Sequence, residues 1–322
     1  MSRISWRRAL AAVALGASAV LLSACGSSTT ESELKPSRLI SFGDAFSDVG
    51  QSSGNRYTVN DGTTNHWLAQ VAAEYGITIS ASNAGGTGYA RNGARVVEKP
   101  DLLGSSDTLT VAEQAAAFLA AGNTYAESDL VIVNGGMADV LAQAKAFLAG
   151  SQTQDEFVKN ADTAGKALGT VARNLVASGA KHVVVVGTMN LGITPWAQAS
   201  GQASAIESAS QAFNSAFLVS VVDLGETVLY VDAAYYFNLA ADKDTISSFG
   251  LNNSVNVACT SADAGAGIGI GSNEINSSLC TTGTIASGVT YNSYMFADKL
   301  YTTPNLQRQF GTYAYGRINN RW

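Results

Sequence analysis

From residue 38 onward the apolar positions alternate between two rhythms. Short unbroken apolar runs occur at RLISFG (38–43), DLVIVNGG (129–136), KHVVVVG (181–187) and TVLYVDA (227–233), and each predicts a strand. The consecutive valines of KHVVVVG predict a parallel strand covered on both faces. Between these runs the apolar residues recur at helical spacing. NHWLAQVAAEYG (65–76) places Trp67, Leu68, Val71 and Tyr75 on one face and stops at Gly76. TVAEQAAAFLAAG (110–122) opens with Thr110 and Glu113, which predict a capping box. VLAQAKAFLAG (140–150), the long amphipathic DEFVKNADTAGKALGTVARNLVASG (155–179), SAIESASQAFNSAFLVSVVDLG (204–225) and PNLQRQFGTYAYGRI (304–318) complete the helices. The order predicts one α/β domain over 38–322, with a central parallel sheet between helical layers and no internal linker or repeat. Ligands of such sheets sit at the carboxyl ends of the strands, which directs attention to the turns at 43–48 and 135–139.

Two stretches break the rhythm. Residues 241–293 lose periodicity and fill with Gly, Ser, Asn and Thr, so a long loop is expected there. Within it GAGIGIG (265–271) neither follows a strand nor opens a helix, so it reads as a flexible loop, not a nucleotide cradle. The aromatic residues of AAYYFNLAA (233–241) fit either the lining of an acyl or glycan pocket or cover for the preceding strand.

The first residues do not belong to this pattern. MSRISWRRAL carries Arg3, Arg7 and Arg8, and AAVALGASAVLL is an apolar run too short to span a bilayer comfortably. LLSAC, with Ser23 and Ala24 before Cys25, resembles the lipobox of bacterial lipoproteins. The resemblance implies a signal peptide over 1–24, cleavage before Cys25 and a diacylglyceryl thioether on its sulfur; the alternative is a secretory signal with a chance cysteine. GSSTTESELKPS then makes residues 25–37 a polar tether. Losing three arginines would take the net charge from −6 to −9. Two or more acyl chains on Cys25 would hold the protein stably to a membrane. The expected location is exported and membrane-anchored. In a Gram-negative host, Gly26 and the absence of aspartate beside it imply the outer membrane and periplasm, by analogy with lipoprotein sorting.

Charged residues make up only 14% of the chain, and the negative balance argues against a nucleic-acid partner. In an exported chain Cys259 and Cys280 are expected to form a disulfide, stapling the 241–293 loop. Closing about 20 residues would stabilise by roughly 3 kcal/mol in the chain-entropy model. A metal site is the alternative, but the only histidines are His66 and His182, far from the cysteines and each other. No metal or cofactor is expected.

Four blocks carry a family resemblance. SFGDAFSDVG (41–50) resembles the first block of the GDSL, or SGNH, hydrolases, which reads roughly FGDSLSD. YARNGARV (89–96) is similar to the second, with Gly93 at the oxyanion-hole glycine. VNGGMADV (133–140) is similar to the third, Gly-x-Asn-Asp, aligned as Gly136, Met137, Ala138 and Asp139. FADKLYTTP (296–304) is similar to the last, Asp-x-x-His, aligned as Asp298, Lys299, Leu300 and Tyr301. The blocks keep the family order and span almost the whole chain after the tether. The resemblance implies a flavodoxin-like three-layer α/β/α sandwich and hydrolysis of acyl esters of lipids or sugars.

The chemistry expected of that family is not fully provided for. Acyl transfer needs a hydroxyl nucleophile, a nearby base and donors aimed at the developing oxyanion. The family's serine aligns with Ala45, its asparagine with Ala138 and its histidine with Tyr301; Gly93 and Asp298 match. A phenol titrates near 10 and is a poor base at neutral pH. Substitutes are few. Ser47 reads as a nucleophile in reserve or a helix N-cap. His66 reads as a surface or capping residue, and His182 opens its strand at the end away from the site. Asp44 and Asp139 could form an acid/base pair or bind a cation, or could bond to loop N–H groups. Three functions follow: a pseudoenzyme binding a lipid, glycan or partner protein; a hydrolase using Ser47 or a water held by Asp44, Asp139 and Asp298; or a structural envelope lipoprotein.

Overall fold

The computed structural model describes residues 32–322; the expected signal peptide over 1–24, Cys25 and most of the expected tether lie outside the described residues. Strands β1 (Arg38–Phe42), β2 (Asp129–Asn134), β3 (His182–Val186) and β4 (Val228–Val231) form a parallel sheet in that order. Ile132 pairs with Ser41 on one side and Val184 on the other. Every residue of β2 and all four valines of β3 are buried, as unbroken apolar runs require of central parallel strands.

The helices are α1 (Trp67–Glu74), α2 (Val111–Ala120), α3 (Met137–Leu148), α4 (Gln154–Ala177), α5 (Pro195–Ser200), α6 (Ala203–Val221), α7 (Ala233–Ala241) and α8 (Pro304–Asn319). The capping box of Thr110 and Glu113 is present, and Thr153 and Glu156 form a second at the start of α4. Glycines let α4 approach α6 closely. A Cβ on Gly165 would lie 2.2 Å from the Phe213 carbonyl oxygen, and one on Gly169 would lie 2.3 Å from Ser220 Cβ. Elsewhere α1 and α8 meet in the same way, where a Cβ on Gly311 would lie 2.6 Å from the Trp67 carbonyl oxygen.

A further strand is reduced to one bridge. Ser41 N donates to Thr87 O (3.0 Å) and Tyr89 N donates to Ser41 O (2.8 Å), so Gly88 pairs in parallel with the outer edge of β1. Numbered by chain position, the sheet then reads 2-1-3-4-5, the flavodoxin-like order, with its switch point between β1 and β2. GGTG offers no apolar run, so this strand is invisible to periodicity.

Other differences from the predicted pattern have local causes. The helix predicted from 140 begins at Met137, so residues 137–139 are a helix start, not a loop. AAYYFNLAA is a helix. Its Phe237 is buried and its Tyr236 stacks on Tyr313 at 4.7 Å, whereas Tyr235 faces solvent. The aperiodic region contains β5 (Asn253–Val257), β6 (Ala262–Asp263) and β7 (Glu274–Ile275), and β5 pairs with the later β8 (Tyr294–Phe296). Cys259 and Cys280 form a disulfide there, buried against Val59 and Ala297. GAGIGIG is anchored, since Ile268 is fully buried and Gly269 lies against Leu102.

The chain ends close to where the fold begins. Leu34 N donates to Trp322 O (3.3 Å), the Trp322 indole N–H donates to Glu226 O (3.2 Å) just before β4, and its ring meets His182 edge-on at the start of β3. This junction marks the amino ends of the strands. Among the described residues no helix is long and apolar enough to cross a membrane.

Candidate active site

The turn after β1 is built on Gly43. A Cβ there would fall 1.9 Å from Asn134 Oδ1, so no other residue fits. The Gln114 amide clamps this backbone from α2, accepting from Gly43 N (2.8 Å) and donating to Gly43 O (2.9 Å). Asp44 follows and joins three elements. Its Oδ1 accepts from Phe46 N (3.1 Å) and Asn134 Nδ2 (2.9 Å), and its Oδ2 accepts from Met137 N (3.2 Å) at the first turn of α3. A carboxylate at a helix N-terminus is favoured by the helix dipole. Burial still raises its pKa above the ordinary carboxylate value, against the pull of these bonds.

Ala45 and Ser47 lie in the short 3-10 turn that Asp44 caps. Ser47 is therefore not the N-cap expected from sequence; it is fully buried and its hydroxyl has no hydrogen-bond partner. The structural work falls to Asp48. Its Oδ1 accepts from Gly50 N (2.9 Å) and Gln51 N (2.6 Å), and its Oδ2 accepts from the Ser52 hydroxyl and from Asn92 N (3.1 Å). The last bond ties the first block to the second, beside Gly93. Gly93 has φ +79°, and its carbonyl accepts from Leu102 N (3.0 Å).

Asp139 sits one residue beyond Ala138 and is almost wholly buried. Its Oδ2 accepts from Val96 N (3.0 Å), while Oδ1 lies 3.4 Å from Arg95 Nε without hydrogen-bond geometry. Burial pushes its pKa to about 7, opposed by the Arg95 charge and helped by the negative charge of Asp44. Asp298 is also buried. Its Oδ1 accepts from Leu300 N (2.8 Å) and Tyr301 N (2.7 Å), and its Oδ2 accepts from Ser277 N (2.9 Å). Desolvation raises it to about 6 in spite of those bonds.

Tyr301 stacks obliquely on Tyr57, with ring centroids 5.1 Å apart. Burial, and then the charges of Asp44, Asp298, Tyr57 and Asp48, hold its phenol well above the ordinary tyrosine value. It is thus a neutral donor at any physiological pH. The Phe46 and Phe310 rings meet at 5.7 Å, which draws the first block toward the helix that follows the last.

The four blocks thus come together, linked through Asp44, Asp48 and Tyr301, but their chemistry is closed off. Ala45 and Ala138 are each 3% exposed, Tyr301 2% and Asp298 0%. Ala45, Ala138 and Tyr301 belong to the continuous hydrophobic core. His66 caps α1 through Nδ1, which accepts from Leu68 N (3.3 Å), but it is buried and not at the surface. Burial and the nearby Arg56 charge press its pKa down to about 3, so it stays neutral. His182 is at the opposite end of the sheet, against Trp322. Among the described residues no group of three or more His, Cys, Asp or Glu side chains is placed to hold a metal ion.

Sequence reasoning passed over Gln114, Asn134, Asp48 and Tyr57. Asn134 and Gln114 carried a signal, each being a lone amide in an apolar strand or an alanine-rich helix. Tyr57 carried none.

The family model described as GDSL-like Lipase/Acylhydrolase matches residues 39–308. No curated protein sequence matches. Solved structures similar to this chain include the inhibitor-bound aryl esterase of M. smegmatis, at 13% identity and a TM-score of 0.45, covering 88% of this chain and 99% of that one. Est24, a carbohydrate acetylesterase from Sinorhizobium meliloti, aligns at 13% identity and a TM-score of 0.46, with the same coverage of both chains. Phospholipase A1 from Streptomyces albidoflavus NA297 aligns at 16% identity and a TM-score of 0.45, covering 87% of this chain and 98% of that one.

Proposed function

The chain belongs to the GDSL-like lipase/acylhydrolase family, and from that premise we propose that it is an exported, lipid-anchored member that binds a small ligand without hydrolysing esters by the serine route. The observation that carries this reading is the core position of Ala45, Ala138 and Tyr301. A methyl group cannot attack a carbonyl, and a phenol held protonated cannot take a proton at neutral pH. Losing one oxyanion donor alone costs about 10²–10³ in turnover. With the nucleophile gone as well, at most roughly 10³–10⁴ over water would survive even in an otherwise intact site.

The reserve constellation is weakly supported. The Ser47 hydroxyl is sealed from solvent, and the carboxylates of Asp44 and Asp298 are occupied by backbone N–H groups. Purified protein should leave short-chain p-nitrophenyl esters at the buffer rate. Rapid turnover abolished by Asp298→Ala or Ser47→Ala would overturn the reading.

The lipid anchor rests on the lipobox-like LLSAC before the polar tether. Expressed in a bacterium, the full chain should partition into detergent with a diacylglyceryl group on Cys25, and Cys25→Ser should release it. An unmodified Cys25 in the purified protein would remove the anchor from the proposal.

A further inference from the structure

Two clefts meet at Arg95, in the second block. The larger encloses about 470 Å³ between the loop at 100–104, the segment at 266–272 and the outer face of α3. The smaller, about 340 Å³, runs from Arg95 past Asp139 toward α4. Neither is lined by Ala45, Ala138, Asp298 or Tyr301.

Arg95 is built into the floor between them, with its side chain only 12% exposed. Asp139 holds it by charge at 3.4 Å, yet neither Arg95 Nε nor Asp139 Oδ1 has a hydrogen-bond partner. Nε of this guanidinium is turned toward Asp139, while the residue also lines both clefts, so its charge is held in place beside them. The second cation of the larger cleft, Lys145, is exposed on α3 and has no carboxylate within ion-pair distance among the described residues. The acid lining that cleft, Asp101, uses Oδ1 to accept from Leu103 N (2.9 Å) and Ser105 N (2.7 Å) of its own loop. The remaining wall is apolar, from Pro100, Leu102, Leu103 and Ala142. Its volume is that of a small-molecule site.

We propose that the larger cleft binds a small molecule that carries one oxyanion, a carboxylate or phosphate, on a short apolar body. The oxyanion bonds to Arg95 and Lys145, and the body lies along Leu102, Leu103 and Ala142. This goes beyond the reading of the family positions and stands whether or not esters are hydrolysed there. Asp139 adds a pH dependence. It faces Arg95 and the charge of Asp44, while Glu98, Asp101 and Lys145 line the clefts around Arg95. As Asp139 takes up a proton near neutrality, less of the Arg95 charge is cancelled and the anion binds more tightly.

Calorimetric or NMR titration of the full chain with hexanoate and hexyl phosphate tests this, with hexanol and hexylamine as controls. Both anions should saturate and neither control should, and the tighter anion identifies the source as a free acid or a phosphate ester. Arg95→Gln should weaken binding roughly ten- to hundredfold, the loss of a hydrogen bond to a charged group. Lys145→Glu, at an exposed position that leaves the fold intact, should weaken it roughly fivefold. Binding of hexanoate, which stays ionised throughout, should tighten from about pH 8 to about pH 6 in the unmodified protein, and Asp139→Asn should remove that dependence. Failure of both anions to bind, equal binding of hexanol or hexylamine, or indifference to Lys145→Glu would each overturn the site. The ester assay bears only on the family positions, so the two tests fail separately.

Discussion

Asp44, Asp48, Asp139 and Asp298 are all nearly inaccessible, and each spends part of its carboxylate on backbone N–H groups. They hold the block architecture in place. The positions themselves are therefore testable. Ala45→Ser, Ala138→Asn and Tyr301→His together restore nucleophile, donor and base, and exchanging Tyr301 for a smaller ring frees space beside Tyr57. Because all three positions lie in the core, a folded triple variant should still leave p-nitrophenyl acetate at the buffer rate. Turnover at least about tenfold faster would show that a substrate reaches the blocks and that only the side chains are missing. The blocks themselves were legible in the sequence, because their order and the residues within them are local facts. The assignment of Ser47 as a cap was not, because two aspartates and a serine within five residues can all cap. Only the approach of Asn134 and Met137 selects Asp44. Tyr57 was equally hidden, since its contact with Tyr301 joins distant parts of the chain.

Elements were legible wherever burial imposed a period or a cap. β2 and β3 read as unbroken apolar runs because helices cover both faces, and α2 announced its start through Thr110 and Glu113. The bridge at Gly88 and the short strands of the stapled region have no such period, since few of their residues reach a core. At this scale the α4–α6 contact is the most exacting. Gly165→Ala must push a methyl group into the Phe213 carbonyl, and overpacking of this kind costs about 1–3 kcal/mol. Denaturant unfolding should show that loss, whereas Gly150→Ala, with open space around it, should lose stability only through its left-handed backbone. The same experiment on Cys259→Ser with Cys280→Ser should show a loss of about 3 kcal/mol, from release of a loop of this size. An unchanged midpoint would mean that the stapled region unfolds independently of the sheet.

For the molecule as a whole, the buried ionisable groups set how stability varies with pH. Asp139 and Asp298 hold protons in the fold up to about 7 and about 6, whereas in the unfolded chain they release them near the ordinary 3.8. Their contribution is full below the unfolded value and is lost as pH rises through the folded values. His66, lowered to about 3 from 6.5, acts in the opposite sense and costs stability as pH falls between those values. Two carboxylates outweigh one imidazole in the shared window, each group being worth about 1.4 kcal/mol per pH unit. The protein should therefore melt at a higher temperature near about pH 5.5 than near about pH 8, and Asp139→Asn should flatten the upper part of that slope. A lower melting temperature at the acid end would show that these carboxylates are not desolvated.

The clasp between Leu34 and Trp322 has a geometric consequence for a chain moored at Cys25. The leash would leave the domain on the side where β1, β3 and β4 begin, and five residues of β1 carry the sheet about 17 Å onward before the turn at Gly43. The carboxyl ends of the strands would then lie at the far end of the domain from the leash, so that shortening or lengthening residues 26–31 should leave them undisturbed.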